Sequence, residues 1–396
     1  MGLTRASALL KMQDEHGETL AHTEVVVEQT RHSFVFGNIG FDFVDPAVRD
    51  TPLARLWLDL YNSATLPFYW RDFEPMQGAP RTRPLRDTAQ WFRDHGVAVK
   101  GHPLVWHTLA PQWLSGDVES QLRRRIARDV TDFRDLIDTW DTINEVVIMP
   151  VFEAEANAIT DLARVKGRVP MIQLAFDEAR AANPSATLLL NDFDLSSRYE
   201  DLIAEAVEAG VQIDALGLQT HMHQGYWGED RMLAMVDRFA RFGLPLHLTE
   251  STLLSGHLMP PEIVDLNDYQ IESWPSTPEG EERQADEMVR HYRSLASHPA
   301  VEAITYWGIT DSGAWLGAPV GLVRTDGTPK PSYDALHQLI KGEWWLPPTT
   351  MRTDAEGRLE VAGVPGEYRA TVRGAIAHFA LDGGDAVIDA TIASAR

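Results

Sequence analysis

Between about Ser33 and Ile340 the chain repeats one pattern eight times: a short apolar run of strand character followed by an amphipathic helical stretch. The runs are Phe34–Gly37, Ala64–Tyr69, Val97–His102, Trp140–Asn144, Thr187–Asn191, Ala215–Gln219, Leu246–Thr249 and Ala303–Trp307, each ending in or beside a polar or aromatic residue. Helical periodicity follows Leu53, Leu85, Met171, Leu202, Met232, Met288 and Tyr333. It is plainest where Leu122, Ile126, Val130, Phe133 and Ile137 recur at spacings of three and four among Arg and Asp, one apolar stripe that would pack on the outside of a sheet. Eight such alternations predict an α/β chain closed into a parallel (β/α)8 barrel, the TIM-barrel architecture, rather than an open doubly wound sheet. No Gly-rich phosphate loop follows the first run, which argues against a dinucleotide site.

The ends read differently. From Thr350 to Ile392 apolar and polar residues alternate, with turn signals at Asp354–Gly357, Gly363–Gly366 and Asp382–Asp385, the pattern of a small antiparallel β unit. Residues 6–31 carry a similar pattern in Ala8–Met12 and Val25–Gln29 around a turn at Glu15–Gly17. The C-terminal unit has too little core to stand comfortably alone. Because the first strand and last helix of a barrel are neighbours, both ends are expected to join in one accessory β-sandwich. The expected division is 1–32 for the N-terminal β segment, 33–345 for the barrel and 346–396 for the rest of the sandwich; two separate appendages are the alternative.

Composition narrows the function. With 396 residues, 44% of them hydrophobic, the chain can bury a large core. A formal net charge of −23 would repel nucleic acid and anionic membranes, so neither is expected as a partner, whereas a neutral polysaccharide or oligosaccharide meets no such barrier. There is no cysteine, which excludes disulfides and thiolate metal sites. Met1–Gly17 lacks the apolar core of a signal peptide and no apolar run is long enough to span a bilayer, so the expected location is intracellular, or secreted with a leader removed.

Two carboxylates stand out on this frame. Glu145 ends the stretch Thr139-Trp-Asp-Thr-Ile-Asn-Glu145, and Glu250 ends Leu244-Pro-Leu-His-Leu-Thr-Glu250. Strand C-termini of a barrel converge on one face, so two glutamates distant in sequence can flank a single sugar, the arrangement that glycosidic-bond cleavage requires.

The motifs around them, in order, are Gly101-His-Pro-Leu-Val-Trp-His107, Trp140-Asp-Thr-Ile-Asn-Glu145, Asn191-Asp-Phe193, Gly217-Leu-Gln-Thr-His221, Leu248-Thr-Glu250, Trp307-Gly-Ile-Thr-Asp-Ser-Gly-Ala-Trp315 and Pro329-Lys-Pro-Ser-Tyr333. This ordered series resembles glycoside hydrolase family 10 over roughly residues 33–341. The resemblance implies a (β/α)8 barrel that cleaves β-1,4-xylan internally with retention of anomeric configuration, without metal or cofactor. It implies Glu145 as acid/base and Glu250 as nucleophile. Asn144 beside the acid would bond the sugar 2-hydroxyl. Gln219 and His221 would orient Glu250, His107 resembles the family's sugar-binding histidine, and Trp307 and Trp315 would wall the subsite at the cleavage point.

Some of these residues have a second reading. His221 and His223, two apart, could mark a metal site, but no third ligand is evident and a hydrogen-bonding His221 is the better reading. The two tryptophans could be ordinary core. The segments Ile148–Arg168 and Gly256–Gly280 follow the acid and the nucleophile and should shape the cleft; Tyr269 and Trp274 in the second would form an aromatic platform or simply pack over the barrel.

Departures from the family concern the non-reducing side of the cut. Where the family presents a Glu-Asn pair and a Lys before a Trp, this chain reads Asn62-Ser-Ala-Thr-Leu-Pro-Phe-Tyr-Trp70, with Leu66, Phe68 and Tyr69 in place of polar partners. A Gln of the third-strand motif is Leu109, and the Leu-Asp after the nucleophile is Ser251-Thr252, which removes the carboxylate behind the orienting histidine. Restoring Asp at 252 is expected to move the pH–rate profile. These changes leave three functions open: an endo-xylanase, a retaining β-glycosidase for a non-xylan or decorated substrate, or a carbohydrate-binding protein without turnover. The last is disfavoured because a binder gains nothing from two opposed carboxylates.

Overall fold

In a computed structural model of the chain, which describes residues 2–382 and 386–392, eight parallel strands close into a barrel. Two strands precede it, β1 (Ala6–Gln13) and β2 (Glu24–His32). The barrel strands are β3 (Val35–Ile39), β4 (Ser63–Pro67), β5 (Ala98–His102), β6 (Thr139–Asn144), β7 (Thr187–Asp192), β8 (Ala215–His221), β9 (Leu246–Thr252) and β10 (Val301–Tyr306), with β10 pairing back onto β3. Between and after them run α1 (Pro52–Leu60), α2 (Trp70–Phe73), α3 (Thr82–Asp94), α4 (Val118–Phe133), α5 (Ala158–Lys166), α6 (Arg168–Ala182), α7 (Ser197–Glu208), α8 (Glu229–Ala240), α9 (Pro278–Ala296) and α10 (Pro331–His337). No helix among the described residues is long and apolar enough to cross a membrane.

Local chemistry fixes the helix ends. α9 starts where Thr277 accepts the Gly280 N–H at 3.0 Å, with Pro278 in the first turn, Glu279 and Glu281 near the positive helix end and Arg293 near the negative one. α4 starts at Asp117, whose carboxylate accepts the Ser120 N–H, and buries Leu122, Ile126, Val130 and Phe133. Ile137, expected on the same stripe, lies beyond the helix, which ends at Phe133; it is buried all the same, in the turn that leads into β6. In β5, Gly101 is required by packing, because a Cβ there would fall 2.2 Å from the Trp140 ring.

The chain ends build a two-sheet sandwich. β11 (Thr349–Arg352), β12 (Arg358–Gly363), β13 (Gly366–Val372), β14 (Ala375–Leu381) and β15 (Ala386–Thr391) join the two N-terminal strands in sheets of order β12-β1-β15 and β11-β2-β13-β14. Alternation along each strand turns Leu10, Val25, Val27, Val361, Tyr368 and Phe379 into one shared core. One pairing departs from the antiparallel expectation: β1 and β15 run parallel. β14 and β15 belong to different sheets, so β15 is not bound to run antiparallel to β14 and pairs with β1 instead. Residues 383–385 of the third expected turn lie outside the described residues.

The sandwich meets the barrel at His32, the last residue of β2. Its Nε2 lies 3.0 Å from the Ile340 carbonyl and its Nδ1 3.2 Å from Gln29 Nε2, and its ring packs edge-on to Phe36 and Trp345. Burial pushes this imidazole down to about 4, so it is neutral.

Candidate active site

Glu145 follows directly on β6 with a left-handed backbone, φ +57°, an uncommon conformation for a non-glycine residue and one that functional sites retain. Two bonds hold the turn: the Glu145 N–H donates to the Asn191 carbonyl at 2.8 Å, and the Val147 N–H to Asp192 Oδ2 at 3.0 Å. Its carboxyl group receives the Trp106 indole N–H at 2.7 Å on Oε2, and the amides of Asn144 at 3.1 Å and Gln219 at 3.2 Å on Oε1. Burial, and after it the negative charge of Glu250, push this group up to about 8. It is therefore protonated at neutral pH.

Glu250, on β9, is buried with different company. Oε1 accepts from Asn191 Nδ2 at 3.0 Å and lies 3.9 Å from His102 Nε2, while His221 Nε2 is 3.0 Å from Oε2. Burial pushes Glu250 up, but the His221 hydrogen bond and the charges of His102 and His221 outweigh it and leave the group below the ordinary glutamate value. Behind His102, Asp141 takes the ring Nδ1 at 2.7 Å and Lys100 Nζ at 2.8 Å on the same oxygen. Burial works against the Asp141 anion, yet Lys100 and His102 bring it to about 2.

Asn191 joins the two carboxylates. Its Nδ2 reaches both Glu250 Oε1 and Asn144 Oδ1, the latter at 2.7 Å, and its Oδ1 accepts from Thr249 Oγ1 at 2.6 Å. Gly217 on the neighbouring strand makes room for it, since a Cβ there would sit 2.3 Å from Asn191 Oδ1.

Of the residues expected at the site, Glu145, Glu250, Asn144, Gln219 and His221 form one hydrogen-bonded cluster. Gln219 differs from expectation in detail: its amide faces Asn144 and Glu145, not Glu250. His107 is buried against Phe152 at 4.3 Å and beside Trp106, with Nδ1 unpartnered and no hydrogen bond to that cluster; burial pushes it down to about 4. Trp307 lies edge-on to His102 at 5.1 Å, and Trp315 packs against His221 at 5.2 Å while 38% exposed.

The departing segment resolves into two roles. Leu66 and Phe68 are fully buried, Phe68 among Phe73, Phe133 and Trp140, so neither occupies a place where a polar partner could meet a ligand. Of the three, only Tyr69 is partly exposed, and its ring lies against Trp106 and His102 beside the carboxylates. Thr252 Oγ1 accepts the Met222 N–H at 3.1 Å, and His221 Nδ1 has no partner. His223, buried with both ring nitrogens unpartnered, lies between Trp315 and Trp274. Among the described residues no group of three or more His, Asp or Glu could hold a metal ion.

The loop after β9 settles onto the barrel. Trp274 is buried, donates to the His257 carbonyl at 2.9 Å and packs with Leu254, Met259 and Val320, so the aromatic-platform alternative does not hold for it. The segment after Glu145 contains α5, and its Phe152 is the residue covering His107. Trp106, His102, Asp141 and Asn191 were not singled out in sequence. They lie within the quoted motifs, and their position there was the available signal.

The family model for glycosyl hydrolase family 10 matches residues 68–339, and the chain belongs to that family. An endo-1,4-beta-xylanase B of Thermotoga neapolitana is 26% identical over 294 residues, 69% of this chain and 78% of that protein. An endo-1,4-beta-xylanase/feruloyl esterase of Xylanibacter ruminicola is 24% identical over 309 residues, 70% of this chain but only 41% of that protein. The xylanase 10B of Thermotoga petrophila RKU-1, solved in complex with xylobiose, superposes with a TM-score of 0.64 at 22% identity over 78% of this chain and 95% of its own, a likeness of fold.

Proposed function

We propose that the chain is a retaining β-glycoside hydrolase whose substrate is β-1,4-xylan, cut internally. The observation that carries this reading is the divergence of two linked carboxyl groups: Glu145 pushed up to about 8, Glu250 held below its usual value. In the first step Glu250, ionised, attacks the anomeric carbon as the bond to the leaving oxygen breaks, and Glu145 gives that oxygen its proton. The product is a glycosyl ester on Glu250. Its formation removes the charge that kept Glu145 protonated, so Glu145 can take a proton from the water that attacks the same carbon and frees Glu250. Asn144 spends one amide hydrogen on Glu145, which leaves the second for the sugar 2-hydroxyl. Trp307 and Trp315 would flank the sugar. The names of the relatives, endo-1,4-β-xylanases, support xylan as substrate.

A second reading, a retaining β-glycosidase for a non-xylan or decorated substrate, is favoured by one observation, the aromatic Tyr69 packed beside Trp106 and His102. Product chromatography after incubation with xylan and a panel of other β-linked polysaccharides and aryl glycosides, beside Glu250→Ala, decides between them. Xylo-oligosaccharides absent from the variant support the first reading; release from another substrate alone rejects it for the second.

A further inference from the structure

Tyr69 stands between the partners of both carboxylates. Its ring lies 5.5 Å from Trp106, which holds Glu145, and 5.7 Å, edge-on, from His102, which faces Glu250. Phe41, beyond the end of β3, packs edge-on to Tyr69 at 5.9 Å and to Trp307 at 5.7 Å. Phe41, Tyr69, Trp106 and Trp307 thus form a continuous uncharged arc around one side of the carboxylate pair. No described residue hydrogen-bonds the Tyr69 hydroxyl, and that oxygen is not among the sealed, unpartnered polar atoms such as those of Tyr61 and Tyr292. A phenol O–H that the protein leaves unpaired yet open to the cleft can both donate to and accept from a ligand.

Building on the double-displacement reading, we propose that Tyr69 is a specificity-determining residue for the sugar under attack: its hydroxyl pairs with a hydroxyl of that sugar, and the aromatic arc selects a neutral glycone over a uronate. Only the sugar under attack lies against both carboxylates at once, and Tyr69 bridges the residues that hold them. Its phenol is pushed well above its ordinary value by burial, then by the charges of Glu250 and Glu145, so it stays a neutral donor across the working pH range. Lys100 is buried and spent on Asp141, and the imidazoles of His102 and His221 already face Glu250 and Asp141, so a uronate carboxylate would enter beside an ionised Glu250 without a free cation of its own among these groups.

The test uses Tyr69→Phe, which removes one oxygen and keeps the ring. Binding of xylotriose and cellotriose is measured by titration calorimetry in the Glu250→Ala background, with and without Tyr69→Phe, so the readout does not depend on turnover. Hydrolysis of aryl β-xylosides, of their 2-deoxy and 3-deoxy forms and of the β-glucuronide is measured with Glu250 intact. The expected result is a loss of roughly tenfold or more in affinity and in kcat/KM on Tyr69→Phe, a loss that vanishes for the one deoxy substrate lacking the partnered hydroxyl. Wild-type kcat/KM for the glucuronide should be the lowest of the neutral and charged set. Unchanged affinity and an unchanged ranking in Tyr69→Phe would overturn the proposal. Turnover surviving in Glu250→Ala would instead overturn the reading of the carboxylates, while the calorimetry would still decide the place of Tyr69.

Discussion

His221 reaches Glu250 with one ring nitrogen, Nε2 to Oε2 at 3.0 Å, and leaves the other, Nδ1, without a partner. The residue that could supply one, two positions after Glu250, is Thr252, and its hydroxyl is occupied by the Met222 N–H. Thr252→Asp keeps an acceptor for that N–H and adds a carboxylate beside the ring. The expected outcome is a displaced pH–rate profile with Glu250 still essential; profiles that coincide in both limbs contradict it.

The pair itself sets the shape of that profile. Glu145 must be protonated to act as acid, so activity should fall as pH rises through about 8; Glu250 must be ionised, so activity should fall only at a pH below the usual glutamate range. In Glu145→Gln the alkaline limb should disappear. The loss in kcat/KM should be about 10²- to 10⁴-fold for unactivated glycosides and small for aryl glycosides whose leaving groups need no proton, while kcat falls for both because Glu145 also activates the water of the second step. A retained alkaline limb in the variant would assign it to another group.

Gly217 bears on the site without touching substrate. A Cβ there would collide with Asn191 Oδ1, and Asn191 bonds Glu250 and Asn144 at once. Gly217→Ala should cost about 1–3 kcal/mol of stability through overpacking and lower kcat more than it raises KM. Normal kcat in a well-folded Gly217→Ala protein would mean that Asn191 does not position the carboxylates.

The sandwich offers a test of its own. Leu10 on β1 is fully buried in a core supplied mainly by residues after 350. Leu10→Ala should cost about 2–5 kcal/mol and expose both chain ends to protease together, while the barrel keeps its activity. Cleavage confined to the first residues would show that the ends are separate units.

Much of this was legible in the chain because its signals are local. Strand runs such as Thr187–Asn191 and the stripe on α4 carry their own periodicity, and Glu145 and Glu250 stand at strand ends by position alone. What was not legible depends on direction in three dimensions. Leu66, Phe68 and Tyr69 read alike as replacements for polar contacts, yet the chain turns after Pro67 so that Phe68 enters the core against Phe133 and only Tyr69 faces the cleft. Gln219 and His221 sit two apart on one strand, and sequence cannot tell which carboxylate each will meet. The parallel β1–β15 pair is hidden for the same reason: alternation marks a strand and is silent on its direction.

The most direct measurement is mass spectrometry of the enzyme after reaction with an activated 2-deoxy-2-fluoro β-xylobioside, whose glycosyl ester forms faster than it is hydrolysed. The expected result is one added glycosyl mass per chain on the peptide carrying Glu250, absent from Glu250→Ala. An adduct on any other residue, or none from a preparation that hydrolyses xylan, would contradict it.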